Sequence, residues 1–311
     1  RGAEEKLHGA VIGHDGREDA RSFTETAQVG LRLEALAEIT AVKREKQAAI
    51  VHDWQNKWAL EGSCGPRNAG MGYWDELKRH YNALAREGIA VEFVDQNADL
   101  TGYGLVVVPM LYLLTDAFAK KLCAFAQSGG TVIVTYWSGV VDESDLCRLG
   151  DTPYGLTELL GLRRTEIDGM YDGETRRCVP SAGCTLPAAQ ASTLCEVAAL
   201  DEKDPAEPLS LYDEDYFAGH PAASVHRYGK GRAYYLASRF DEAFYRAFYH
   251  DAAKEIGLSP AWPEALPEGV LAVRRGSFVF VQNCTEQPVT VGNTVLERYR
   301  TAVWKGMDRI F

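Results

Sequence analysis

Two four-residue stretches without a single polar side chain constrain this chain more than any other feature. Residues 48–51 read AAIV and residues 105–108 read LVVV. A strand with one wet face alternates polar and apolar positions, so a strand that is apolar throughout must be covered on both faces. Residues 91–94 (VEFV) and 131–136 (TVIVTY) supply two more strands. Helical patterns separate them. Residues 71–88 carry Trp74, Leu77, Tyr81 and Leu84 on one predicted face, with Gly88 as the stop. Residues 115–128 form a second helix closed by Gly129 and Gly130. Strand, helix, strand, strand, helix, strand predicts an α/β fold with a parallel doubly wound sheet, of the flavodoxin-like or class I glutamine amidotransferase-like type.

The flanks read differently. Residues 19–39 predict one amphipathic helix bearing Leu31, Leu33, Leu36 and Ile39, followed by a charged linker at 43–46. Residues 150–208 carry a weak signal: a short helix at 156–162, and otherwise loops and extended pieces. Residues 223–227 and 232–237 flank Tyr228-Gly229-Lys230-Gly231, a hairpin with a glycine turn. Residues 241–256 form a closing helix stopped by Gly257. Pro260, Pro263 and Pro267 then make a stiff linker. Short alternating strands at 270–274, 277–282, 288–291 and 301–305 predict a small antiparallel β domain.

Composition narrows the function classes. A net charge of −11 lacks the basic footprint that nucleic acid requires. No stretch approaches the roughly 18–20 consecutive apolar residues of a membrane span, so no membrane partner is expected. The seven cysteines, Cys64, Cys123, Cys147, Cys178, Cys184, Cys195 and Cys284, contain no CxxC pair. Their scatter fits free thiols in a reducing cytoplasm and implies neither a metal nor another cofactor.

A doubly wound sheet invites a search for chemistry at its strand ends. An amidotransferase would need a nucleophilic Cys there, paired with a His. Pro109-Met110-Leu111 and Trp137-Ser138-Gly139 occupy those positions instead, and Cys123 falls within a helix. No GxGxxG or GxxxxGK[ST] run offers a phosphate cradle. His52-Asp53 has no nucleophile beside it. The polar loop 137–146 (WSGVVDESDL) presents Trp137 and Asp142 as candidate contacts with another chain, because Trp is enriched at interface hot spots. Asp142 and Ser144 equally suit a helix N-cap. Trp54 and Trp58, on the loop after the first strand, are the other candidate oligomer contacts.

Three segments carry a family resemblance. Arg1, Gly2, Ala3, Glu5, Lys6, Leu7, His8, Gly9, Ala10 and Val11 resemble the end of the catalytic barrel in family 42 β-galactosidases. Leu7 stands where that family usually has an aromatic residue. Residues 135–143 (TYWSGVVDE) are similar to the family's trimerisation domain, and Arg227-Tyr228-Gly229-Lys230-Gly231 continues the match in order. The resemblance implies three regions: the end of a TIM barrel at 1–45, an α/β trimerisation domain at 46–262 and an antiparallel β domain at 263–311. It implies a homotrimer and retaining hydrolysis of terminal β-galactosides in a longer parent protein. The pair of carboxylates that such chemistry needs, about 5–5.5 Å apart, would then precede Arg1, leaving no catalytic residue in this chain. Glu5 and His8 are the implied substrate-binding residues, since a carboxylate and an imidazole can together read sugar hydroxyls. The alternative is an assembly or carbohydrate-binding module without catalysis.

Overall fold

The computed structural model describes residues 11–43, 45–63, 71–306 and 308–310. The first elements among the described residues are helix α1 (Arg21–Ala35) and a 3₁₀ turn (Ala37–Ala41), so the single helix expected over 19–39 is broken near Leu36. Strand β1 (Ala48–Val51) leads to α2 (Trp54–Gly62) and α3 (Tyr73–Arg86). Strands β2 (Val91–Val94) and β3 (Leu105–Val108), helix α4 (Asp116–Gln127) and strand β4 (Thr131–Thr135) follow.

A short α5 (Thr157–Leu160) introduces the strands β5 (Leu162–Gly169), β6 (Thr175–Pro180), β7 (Ala189–Leu200) and β8 (Glu207–Tyr212). Then come β9 (Pro221–Tyr228), β10 (Gly231–Leu236), β11 (Ser238–Phe240) and α6 (Glu242–Ile256). The chain finishes with β12 (Val270–Arg275), β13 (Phe278–Asn283), β14 (Val289–Val291), β15 (Thr294–Leu296), β16 (Thr301–Lys305) and β17 (Asp308–Arg309).

Strands β1 to β11 form one mixed sheet in the order β11-β7-β6-β8-β9-β10-β4-β3-β1-β2, with β5 also on β7. Five of them, β2-β1-β3-β4-β10, are mutually parallel. Numbered among themselves in chain order, they run 2-1-3-4-5. The remainder is antiparallel, which corrects the expectation of a purely parallel doubly wound sheet: within residues 162–212, where loops and extended pieces were expected, four paired strands extend it. The two apolar runs lie inside the parallel half and are buried at every position. Leu77, Leu84, Phe244 and Phe248 of α3 and α6 cover one face. Phe118 and Leu122 of α4, with Leu159 of α5, cover the other.

Local chemistry fixes the helix ends. The side chains of Asp53, Thr115 and Asp241 accept backbone N–H bonds at the starts of α2, α4 and α6. Gly257, left-handed at φ 77°, closes α6. In the β9–β10 hairpin a Cβ on Gly231 would overlap the Gly130 carbonyl, so that turn accepts only glycine. Strands β12, β13, β16 and β17 make a separate antiparallel sheet, with β14 and β15 as a hairpin beside it. Val270, Val281, Ala302 and Trp304 form its own core.

Helix α1 buries no residue, and Val29, Leu31 and Leu33 are more than half exposed. No described helix is long and apolar enough to cross a membrane.

Candidate functional site

In open α/β sheets ligands favour the crevice at the carboxyl ends of the strands, where the strand order reverses. Here the reversal lies between β1 and β3. The crevice is filled from within by Asn56. This side chain is fully buried, donates to the Met110 carbonyl at 3.1 Å and accepts from the Leu113 N–H at 2.9 Å. Asp53 holds α2 in place for this, accepting from the N–H groups of Gln55 and Asn56 at 2.9 and 3.2 Å. Gln96 braces the same edge, donating to the Leu113 carbonyl at 3.2 Å and accepting from the Thr115 N–H at 3.0 Å.

Closing the crevice turns the edge into a surface, and that surface is aromatic. Trp54 and Trp58 stand one helical turn apart on α2, not on a loop, and are 53% and 61% exposed. Their rings lie 6.2 Å apart. Trp74 of α3 joins them, edge-on to Trp54 at 5.8 Å and 41% exposed. The sequence placed Trp74 on the buried face with Leu77; the structure turns it outward. Its signal lay in the neighbouring Asp75 and Glu76, which mark a first helical turn, where a side chain can still point past the end of the sheet.

His52 is the floor of this patch. Its ring stacks on Trp74 at 4.8 Å and on Tyr73 at 6.0 Å, and meets Trp54 edge-on at 5.0 Å. Its Nε2 is buried without a hydrogen-bond partner. Burial holds this imidazole below its ordinary 6.5; Lys57 adds to the effect and Asp53 opposes it.

The other pair of candidate contacts divides. Trp137 is not a surface residue: it is 6% exposed and stacks on Tyr112 at 5.7 Å. Its backbone is left-handed at φ 58°, and Met110 beyond β3 is similarly left-handed at φ 42°. Non-glycine residues adopt such angles only where their surroundings compel it. For Trp137 the compulsion is Glu196. This fully buried carboxylate accepts the Trp137 N–H at 2.9 Å, pairs with Arg164 at 2.7 Å and takes the Tyr235 hydroxyl. Asp142 caps no helix. It is half-buried in a turn and accepts from the N–H groups of Leu146 and Ser144, which lower its pKa. Glu5 and His8 lie outside the described residues.

A second buried cluster supports the patch from below. Glu76 is fully buried and accepts from Arg239 Nε at 2.8 Å, Tyr245 at 2.8 Å and Tyr136 at 3.1 Å. His80 lies 3.2 Å away on the other side. Arg239 also reaches the carbonyls of Met71 and Gly72, which precede α3. Sequence reasoning missed this cluster, because Glu76 and Arg239 are far apart in the chain and each reads as an ordinary surface charge. The edge is thus a three-indole surface beside a buried polar cluster. Its strand-end residues, Met110 and Trp137, offer no nucleophile.

A family model described as a β-galactosidase trimerisation domain matches residues 46–259. The chain is 44% identical over 294 residues to β-galactosidase BglY of Alicyclobacillus acidocaldarius, covering 92% of this chain and 42% of that protein. It is 36% identical to β-galactosidase GanA of Bacillus subtilis, covering 92% of this chain and again 42% of the relative. Among solved structures, a cold-adapted β-galactosidase from Rahnella sp. R3 superposes with a TM-score of 0.90 at 39% identity, over 97% of this chain and 47% of that one. A β-galactosidase from Bacillus circulans sp. alkalophilus gives 0.86 at 31%, over 98% and 47%. The chain thus spans less than half the length of these relatives.

Proposed function

The chain belongs to the β-galactosidase trimerisation domain family, and from that premise we propose that it self-associates, three copies closing a ring, within a longer retaining β-galactosidase. The observation that carries the reading is the exposed Trp54–Trp58–Trp74 surface on the domain that the family model covers. Three large indoles in mutual contact offer much apolar area with few rotatable bonds, and tryptophan is enriched at interface hot spots. A closed ring buries the same patches on every copy and leaves none free.

In this reading residues 46–262 are the assembly domain, flavodoxin-like in its parallel half, and residues 263–311 a β domain packed after it. Residues 1–45 are the end of a catalytic barrel, with Glu5 and His8 at the edge of the galactoside pocket. Helix α1 supports a further packing partner, because an amphipathic helix with no buried residue lacks the neighbour its leucines require. Catalysis itself is assigned to carboxylates outside this chain.

Light scattering on the 311-residue chain, against the Trp54→Ala, Trp58→Ala and Trp74→Ala variants, tests the assembly role. A hot-spot tryptophan contributes about 2 kcal/mol or more, so each variant should weaken association by about thirtyfold. Unchanged association in all three would refute the reading. The same indoles favour one other role, stacking on sugar rings. Galactoside-dependent quenching of tryptophan emission that vanishes in Trp54→Ala, with association unchanged, would establish that role instead.

A further inference from the structure

We propose that the cleft between α3 and α6 is an anion site that takes a phosphate group. Arg79, Asn82 and Arg86 follow one another along a stripe of α3, three or four residues apart. On α6, Tyr245 and Arg246 stand three and four residues after Glu242. Together they line a cavity of about 190 Å³ where the two helices face each other. Three arginines and one carboxylate line it.

That carboxylate is already used. Glu242 pairs with Arg86 at 2.9 Å, and Arg86 also reaches Glu268 at 3.5 Å. Arg79 and Arg246 have no ion-pair or hydrogen-bond partner among the described residues. Along the same groove the next basic group, His250, is satisfied by Glu87 at 3.0 Å. The surplus positive charge is therefore confined to Arg79 and Arg246, one on each wall.

In a chain of net charge −11, two exposed arginines without an ion-pair partner line one concavity. Carboxylates were available to neutralise it, as the ion pairs of Arg86 and His250 show. Arginines on two facing helices can offer donors to an anion with several oxygens. A tetrahedral phosphate offers three acceptor oxygens and a charge of about −1.5 to −2, more than a single carboxylate brings. The Asn82 amide adds a neutral donor. The cavity is small and open to solvent, which fits an inorganic phosphate or the phosphate end of a sugar monoester rather than a whole nucleotide. The cleft lies between the two helices and does not include the three indoles, so the proposal does not depend on the assembly role.

The test is calorimetric titration of the 311-residue chain with orthophosphate and, separately, with glucose 6-phosphate, at constant ionic strength set by chloride. Saturable binding is expected. Charge-assisted hydrogen bonds of this kind imply a loss of about ten- to a hundredfold in affinity for Arg79→Gln or Arg246→Gln. Arg79→Lys should recover part of it, which separates a charge requirement from a disturbed fold. Tighter binding of glucose 6-phosphate than of orthophosphate identifies a monoester site, and equal or weaker binding identifies free phosphate. Heat that does not saturate, or binding that is as tight in the Arg79→Gln/Arg246→Gln double variant with native circular dichroism, overturns the proposal.

Discussion

Arg239 donates from Nε to the Glu76 carboxylate at 2.8 Å, although 163 residues of chain separate them. The contact ties the edge of the sheet at β11 to the first turns of α3, from which Trp74 projects. Both charges are withdrawn from water, so neither can lose its partner cheaply.

Glu76→Ala should therefore lower the unfolding free energy by about 3–5 kcal/mol, the usual cost of leaving a buried charge unpaired. The double variant Glu76→Leu/Arg239→Met should be less destabilised than Glu76→Ala, because no charge is then stranded. Urea denaturation of the three proteins checks this. Equal losses in the single and double variants would contradict it.

The same carboxylate sets an acid limb. Burial alone would raise the Glu76 pKa, but the hydrogen bond with His80, the charges of His80 and Arg239, and the Tyr245 hydroxyl outweigh it and bring it down to about 2 from an ordinary 4.5. A depressed carboxylate stabilises the fold fully above its unfolded value. That contribution should fade as pH falls from 4.5 and be gone below about 2. Stability measured across this window should slope less steeply in Glu76→Gln than in the parent.

His52 supplies a second pH dependence with its own sign. Its folded pKa lies below 6.5, so on acidification the unfolded chain takes up the proton first and stability falls below that point. Because the ring stacks on Trp74 and meets Trp54, tryptophan emission should titrate with a midpoint under 6.5. A titration that persists in His52→Gln would assign it to another group.

Thiol reactivity should divide by depth. Burial pushes the thiols of Cys178 and Cys195 up to about 12, whereas Cys147 and Cys284 are exposed. The thiolate is the reactive form. An alkylating reagent at mildly alkaline pH should modify Cys147 and Cys284 first, and Cys178 and Cys195 only after denaturation. Peptide mass spectrometry reads the order directly, and early label on Cys178 would contradict it.

These features differ in how legible they were. The apolar runs of β1 and β3 announced a sheet covered on both faces, because burial of that kind is written in every residue. Strand β7 was invisible. Its sequence, AQASTLCEVAAL, is rich in alanine, which has little strand preference, and Glu196 interrupts it. Only pairing with β5, β6 and β11 makes it a strand. Trp137 misled for a related reason. Its polar neighbours suggest a surface loop, while the partners that bury it, Tyr112 and Glu196, come from remote segments. The exposure of Trp54 and Trp58 was legible because neither depends on distant packing, although they stand on a short helix where a loop was expected.

Strand β10 runs parallel to β4 on one side and antiparallel to β9 on the other. Its consecutive tyrosines reach outward in opposite directions, Tyr234 to Glu255 on α6 and Tyr235 to Glu196 on β7. A doubly wound half and a meandering half could have been two foldons, melting one after the other. With their common border strand anchored on both faces, neither can come away without exposing the other's edge. The sheet should thus open as one cooperative unit, and slow amide exchange should extend without a break from β3 across β10 into β9.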